Sequence, residues 1–428
     1  MKKTILTFFL LFSFGLFAQQ SDSLSKKSNF IISPEVLLGI TAEANSYFPD
    51  HGLQSQAIVS FGWEHDNNPQ EWAHRLKGPR TGISIGYTDF GNTENLGSAI
   101  SVLPFIEFNA FKSKKLTIQV GTGASYFTKK YDPITNPNNE AVTTDFTWSF
   151  KLFSHYSVFS TNKIDWRAGI GYSHHSNGHT RLPNQGFNSF LIGVSADIKN
   201  NSKPTFYSEE NKPIFLDNRY SYFAIRTGLG VQTLGKAFND KKGVYAFSGE
   251  YGRVYNNTYK VGVGMYYRFY RHYYDYMTNN ESLVQDGREF DSFKENPTWS
   301  ASNLGVFVTG EVLLNHFGIN LQIGFNIHKP AYNIDWRINQ GWDVVPRVIP
   351  ENSAIVLGEF DTKFKLKKHI SSRLGLKYYI IGTRKSPQHN FFIGANLNAN
   401  LGQADYTELS FGYVHSFSFK KEKPLSTK

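Results

Sequence analysis

The groups best able to do chemistry are gathered in one segment, Ile164 to Ile198, IDWRAGIGYSHHSNGHTRLPNQGFNSFLIGVSADI. It reads as a strand, a polar loop and a second strand. Successive side chains on a strand point to opposite faces. Ile164, Trp166, Ala168, Ile170 and Tyr172 therefore share a face with His174 and Ser176, while Asp165, Arg167, Gly169, Gly171, Ser173 and His175 share the other. On the returning strand Phe190, Ile192, Val194, Ala196 and Ile198 form the apolar row, and Asn188 begins it. A hairpin joins antiparallel neighbours, so Asn188 starts near the point where His174 and Ser176 end. Polar groups on a face turned toward hydrocarbon are costly and need a reason. The reason these residue types offer is acyl transfer, with Ser176 as nucleophile, His174 as its general base and Asn188 accepting the other ring N–H. Two competing readings are weaker. His174, His175 and His179 do not make a metal site, because adjacent strand histidines face opposite ways and the loop holds no carboxylate, so neither metal nor cofactor is expected. Asn184 and Gly186 are also ordinary turn formers.

The elements that must position this hairpin follow from the same two-residue period. It recurs in Leu116 to Tyr126, in Ile319 to Ile327 and in Phe391 to Leu401, where apolar residues alternate with Gly, Ser, Thr, Asn or Gln over about ten residues, the span of a tilted membrane strand. Strands are expected near 29–42, 56–64, 80–90, 98–112, 115–128, 144–160, 164–176 and 188–199. In the second half they are expected near 220–234, 243–256, 260–273, 302–315, 317–328, 354–367, 371–383, 389–402 and 406–419. A single-chain barrel closes with an even number, so roughly one of these is surplus, and 56–64 is the least regular. Tyr87 with Phe90, Tyr126 with Phe127, Tyr378 with Tyr379 and Phe417 with Phe419 would form aromatic girdles at the interfaces. The fold class predicted is all-β, a transmembrane antiparallel barrel of roughly 14–16 strands. The alternative is a small eight-stranded barrel followed by a second β domain, with the polar stretch 200–218 as linker. The polar connections 66–78, 131–143, 277–297 and 331–352 suit the longer loops of one rim. Lys363, Lys365, Lys367 and Lys368 read as a solvated lumenal face.

Composition narrows the class further. The chain has 428 residues, 16% aromatic, with no cysteine, which excludes a disulfide scaffold, a thiolate metal site and a cysteine nucleophile. Lys2 and Lys3 precede an apolar run to Ala18, which reads as an export signal over 1–18 with the barrel in 19–428. The net charge of +10 would suit an anionic lipid or a nucleic acid. Export argues against nucleic acid, and the aromatic stretch at 262–277 with Arg268 and Arg271 reads as a barrel strand with a rim girdle rather than a nucleic-acid surface.

His174-His175-Ser176-Asn177-Gly178 followed by Pro183-Asn184-Gln185-Gly186 resembles the His-x-Ser-Asn and Pro-Asn-x-Gly signature of the PagL-type lipid A 3-O-deacylases. GYTDFGN at 86–92 and YDPITNPNN at 131–139 are similar to segments of longer members. The resemblance covers roughly 30–200 and leaves the strands of 220–419 as an addition. It implies an outer-membrane enzyme whose serine-hydrolase site faces the outer leaflet and whose substrate is lipid A within lipopolysaccharide. Carried over, the nucleophile falls on Ser176, the base on His174, and a side-chain oxyanion donor on Asn184, with backbone N–H groups around Asn177, Gly178 and His179 beside it. The family's acid falls on Asn188, which is a departure: an amide orients the imidazole but brings no negative charge. Glu107 and Asp145 are candidate substitutes that the sequence does not place. The competing functions are a porin or structural barrel with a degenerate site, and a phospholipase-like barrel. Oligomeric state is left open.

Overall fold

The computed structural model describes residues 29–43, 48–199, 215–235, 238–340 and 361–421. The predicted export signal lies outside the described residues. Two eight-stranded antiparallel barrels account for the strands. The first is built from β1 (Asn29–Ala42), β2 (Gln54–Glu64), β3 (Arg80–Asp89), β4 (Ser98–Asn109), β5 (Leu116–Phe127), β6 (Phe146–Ser160), β7 (Ile164–Ser176) and β8 (Phe187–Lys199). It closes where β8 returns to β1, pairing Asn188 with Ala42 and Ile198 with Ile32. The second contains β9 (Asn218–Gln232), β10 (Lys242–Tyr255), β11 (Tyr259–Tyr270), β12 (Ser302–Leu314), β13 (Phe317–His328), β14 (Ile370–Tyr379), β15 (His389–Asn400) and β16 (Gln403–Lys421), closed by β16 against β9.

The all-β antiparallel reading is therefore right, and of its two forms the favoured single barrel of roughly 14–16 strands gives way to the alternative, an eight-stranded barrel followed by a second β domain, itself a barrel of eight. Alternation reports which face a residue takes and says nothing about which distant strand completes the ladder. Eight strands enclose a lumen just wide enough for side chains to fill, and here charged side chains fill it. In the first barrel Glu35 accepts hydrogen bonds from Lys151 and from His155, the latter at 2.6 Å. Arg80 pairs with Asp197 at 2.7 Å, and Arg167 with Asp197 at 2.8 Å and Glu107 at 3.2 Å. In the second, Lys377 and the Tyr379 hydroxyl each reach Glu311 at 2.7 Å, and Arg373 meets Glu408 at 3.0 Å. Such networks resist the porin alternative, since an ion path would need these pairs removed. The outward rows are apolar and exposed, with Ile170 at 65% and Ile192 at 62%. That is the pattern of barrels solvated by hydrocarbon. No helix among the described residues is long and apolar enough to cross a membrane.

Several local expectations change. The segment 56–64 is a regular strand, β2. The surplus strand is 354–367: residues 361–369 are helical (α5, Asp361–His369), and 354–360 lie outside the described residues. The alternating lysines imitate a strand period, yet Thr362 is the one β-branched residue of 361–369, and Lys367 is buried, with its ammonium on Gln403. The stretch 262–277 is a strand only to Tyr270. It continues as helix α2 (Arg271–Thr278), whose Tyr273, Tyr276 and Met277 are buried over one end of the second barrel with Phe290 and Ile334. Helices α3 (Pro297–Ser300) and α4 (Tyr332–Gln340) lie in the connections expected to be plain loops. The connection 66–78, with its short helix α1 (Glu71–Arg75), joins β2 to β3 at the opposite rim from 131–143. Of the proposed girdle residues, Tyr87 and Tyr126 are exposed, but Phe90, Phe127 and Tyr379 turn inward. Phe90 stacks on Phe187 at 4.0 Å, sealing the lumen beneath the β7–β8 loop.

Candidate active site

The hairpin β7–β8 pairs in the register the alternation requires, with His174 directly opposite Asn188 and Tyr172 opposite Phe190. Arg167, Ser173 and His175 are buried in the lumen, while Trp166, Ile170, Phe190 and Ile192 are exposed outside. His174, Ser176 and Asn188 thus share the outward face, at the end of the barrel. Asn188 Oδ1 accepts from His174 Nδ1 at 2.8 Å and from the Tyr172 hydroxyl at 2.7 Å. With Nδ1 donating, Nε2 of a neutral imidazole is left as a proton acceptor.

The loop that follows, residues 177–186, is folded around Ser176. Asn177 organises it: its N–H donates to Asn184 Oδ1 at 3.0 Å, its Oδ1 accepts from Thr180 N–H at 3.1 Å, and its Nδ2 donates to Arg181 O at 2.7 Å. Holding the Asn184 oxygen in this way turns its NH2 group onto Ser176 Oγ, at 2.9 Å. The Gly178 N–H donates to the same oxygen at 3.2 Å. The turn needs left-handed backbone at Gly178 and His179, with φ of 67° and 63°. Ser176 is only 3% exposed.

Among the described residues no hydrogen bond joins His174 to Ser176. The two are neighbours nonetheless. A methyl group on Gly186 would stand 3.4 Å from His174 Cε1 and 3.5 Å from Ser176 Cβ, so both side chains converge on the space that this glycine leaves open. Catalytic hydrogen bonds are commonly long before substrate arrives.

The other expected residues separate. His175 points into the lumen, where Nδ1 meets Ser149 Oγ at 2.9 Å and Ser125 Oγ at 3.2 Å. His179 is buried against the second barrel, and that burial pushes its pKa below the ordinary histidine value. The three histidines therefore diverge and do not converge on a common point. Glu107 is held in the lumen by Arg80 and Arg167, and Asp145 pairs with Lys130 on an exposed loop, so neither supplies an acid to His174. The Tyr172 hydroxyl was visible in the sequence only as one member of the outward row. Trp148, opposite Ser176 in register across β6, carried no signal of its own.

Residues 57–197 match the family model described as Lipid A 3-O-deacylase (PagL), and residues 219–339 match that of the Acyloxyacyl hydrolase, C-terminal domain. Together these matches cover more than half of the chain. The chain belongs to the PagL family. The PagL match spans most of the first barrel, including the whole of β7 and its loop, and the C-terminal match begins in β9 of the second. The strands from 220 onward, expected to be an addition, thus belong in part to a domain of the acyloxyacyl hydrolases. No curated protein matches the sequence. Solved structures with some likeness include a porin mutant of Rh. blastica (10% identity, 91% of this chain and 99% of that one, TM-score 0.16). Pseudomonas aeruginosa OccK11 (8%, 91% and 96%, TM-score 0.19) and Pseudomonas putida OprB (9%, 92% and 94%, TM-score 0.20) are others, and at such scores they carry no argument. Within the PagL signature the expected serine, histidine and asparagine are all present, and the departure remains Asn188, whose amide oxygen stands where a carboxylate is expected.

Proposed function

We propose that this PagL-family chain is an outer-membrane serine esterase that removes the 3-O-linked hydroxyacyl chain of lipid A. The observation that carries the reading is a serine on the outward face of β7, two residues from an oriented imidazole, whose oxygen already receives two N–H donors. His174 Nε2 takes the Ser176 proton as Oγ attacks the ester carbonyl. The Asn184 NH2 group and the Gly178 N–H bond the negative oxygen of the tetrahedral intermediate. Collapse breaks the bond to the sugar oxygen, which leaves with the proton from His174. A water, deprotonated by the same imidazole, then releases the fatty acid and restores Ser176. No step calls on a metal or cofactor.

The apolar exterior of both barrels supports an outer-membrane location, with the β7–β8 rim at the lipopolysaccharide leaflet. Substrate class rests on the family, since a lipid-facing serine would also meet glycerophospholipids. The test is the mass of lipid A from cells expressing each form. Wild type should remove one hydroxyacyl chain, and Ser176→Ala and His174→Ala should leave the mass unchanged while still showing the heat-dependent gel mobility of a folded barrel. Full activity in Ser176→Ala would refute the serine mechanism. Hydrolysis of glycerophospholipid in preference to lipid A would move the substrate to the phospholipase reading.

A further inference from the structure

The loop that aims donors at Ser176 is not held by its own barrel alone. Its second half is: Gln185 N–H and Gly186 N–H donate to Glu140 O at 3.2 Å and Ala141 O at 2.9 Å. The first half turns to the second barrel. Thr233, just past β9, donates its N–H to His179 O at 3.1 Å and its hydroxyl to Thr180 O at 3.0 Å. Asn239, before β10, takes both backbone groups of Leu182, accepting from N–H at 2.9 Å and donating to O at 2.6 Å. Thr407 on β16 accepts from Trp148 Nε1 at 3.1 Å and faces Gly178 O at 3.5 Å. Contact there is close: a methyl group on Gly178 would lie 2.4 Å from Thr407 Oγ1.

These bonds lead to the site in few steps. The Thr180 hydroxyl donates to Asn177 O at 3.0 Å. That carbonyl belongs to the same peptide plane as the Gly178 N–H on Ser176 Oγ. Thr233 holds Thr180, Thr180 holds the plane, and the plane presents the donor. The left-handed His179, a conformation that persists only where surroundings over-determine it, is buried beneath the second barrel with its carbonyl on Thr233.

We propose that the second barrel is a positioning element of the hydrolase: through Thr233, Asn239 and Thr407 it fixes residues 178–182 and thereby aims the oxyanion donors at Ser176. The proposal rests on Ser176 being the nucleophile. None of the three residues touches substrate, so their loss should appear in turnover and not in lipid binding.

The experiment uses the full chain in detergent with lipopolysaccharide, folded barrel quantified by gel mobility. Thr233→Val and Thr407→Val each remove a hydroxyl with little change of volume, Asn239→Leu removes both bonds to Leu182, and Thr407→Ser restores the hydroxyl. A neutral hydrogen bond at the net worth usual in proteins corresponds to about 3- to 10-fold. Each single variant should lose about that factor in kcat with KM unchanged, the triple variant on the order of 100-fold, approaching loss of an oxyanion donor. Thr407→Ser should retain wild-type kcat. A long-chain fluorophosphonate should label Ser176 more slowly in the same order. The proposal is overturned if kcat per folded barrel is unchanged in the triple variant, if the loss lies in KM, or if activity merely follows the folded fraction. Should the triple variant fail to fold, the Thr407→Val and Thr407→Ser pair decides: equal kcat in the two overturns it. Wild-type turnover by Ser176→Ala would instead defeat the serine reading, so the two failures are distinct.

Discussion

Replacing Asn188 by aspartate should make the enzyme faster, by about tenfold in kcat. The amide oxygen already accepts from His174 Nδ1 at 2.8 Å and from the Tyr172 hydroxyl at 2.7 Å, and a carboxylate of the same shape inherits both donors. A hydrogen bond between neutral groups contributes about 0.5–1.5 kcal/mol, and one to a charged group about 1.5–3 kcal/mol. The difference, about 1–1.5 kcal/mol, is realised in full once His174 carries the proton taken from Ser176. Since 1.36 kcal/mol is a factor of ten in rate, the gain is about tenfold. Coulomb attraction between unit charges about 4 Å apart at an effective dielectric of 20 gives about 4 kcal/mol. That figure is a ceiling, because the new carboxylate must also shed water on a lipid-facing wall. Initial rates of fatty-acid release from lipopolysaccharide micelles, at saturating substrate and with enzyme counted by fluorophosphonate titration, measure the effect. KM should stay constant, and Tyr172→Phe in the variant should take back part of the gain. An unchanged kcat, or a gain confined to KM, would refute the claim that an imidazolium on His174 forms in the rate-limiting step.

Other consequences are sharper in sign than in size. Asn184→Ala removes the side-chain donor on Ser176 Oγ and should lower kcat by about 10²–10³ with little change in KM, in the same micelle assay. Arg80→Met leaves Asp197 and Glu107 short of a partner in the first lumen and should destabilise that barrel by about 3–5 kcal/mol, seen as an earlier urea midpoint, while turnover per folded molecule is retained. His179 has a folded-state pKa pushed down by burial, so the unfolded chain binds its proton more readily. Its stabilising contribution is complete above the ordinary histidine pKa of about 6.5 and declines as pH falls below it. The urea midpoints of wild type and His179→Gln should therefore converge on acidification, and a gap that stays constant from pH 7 to pH 5 would contradict this.

Much of this was legible where the signal is local. The outward row Trp166, Ile170, Tyr172, His174, Ser176 follows from the pleat alone, and the hairpin brings Asn188 near His174, while their direct opposition is set by a register that the ten-residue loop does not dictate. What the chain does not write locally is closure. The pairing of Ala42 with Asn188 depends on how eight strands curl, and alternation is the same in a barrel of eight or sixteen. Lumenal partners share this property: Arg80 and Asp197 each occupy a polar parity, but nothing near either says they meet at 2.7 Å. The helix at 361–369 was missed because lysines two apart satisfy a strand period without the β-branched packing that makes strands. Thr233, Asn239 and Thr407 are ordinary polar residues in their own segments and gain meaning only from the loop they touch.

A lumen crowded with ion pairs leaves a small barrel no interior in which to handle a lipid, so chemistry on a bilayer ester has to sit on the outer wall. That wall is hostile to polar atoms, which lose water there and must find partners within the protein. Several of the polar atoms argued to take part have one before substrate arrives: Ser176 Oγ has the Asn184 NH2 group and the Gly178 N–H, and His174 Nδ1 has Asn188, itself steadied by Tyr172. The donors that satisfy Ser176 Oγ before substrate arrives are the groups proposed to bond the oxyanion once an ester is bound. The loop supplying them is ten residues of irregular backbone at a rim, and a single hairpin provides few groups to bond it. A second barrel alongside provides a wall of further donors and acceptors, so a paired-barrel architecture stabilises a polar loop where one barrel leaves it facing lipid.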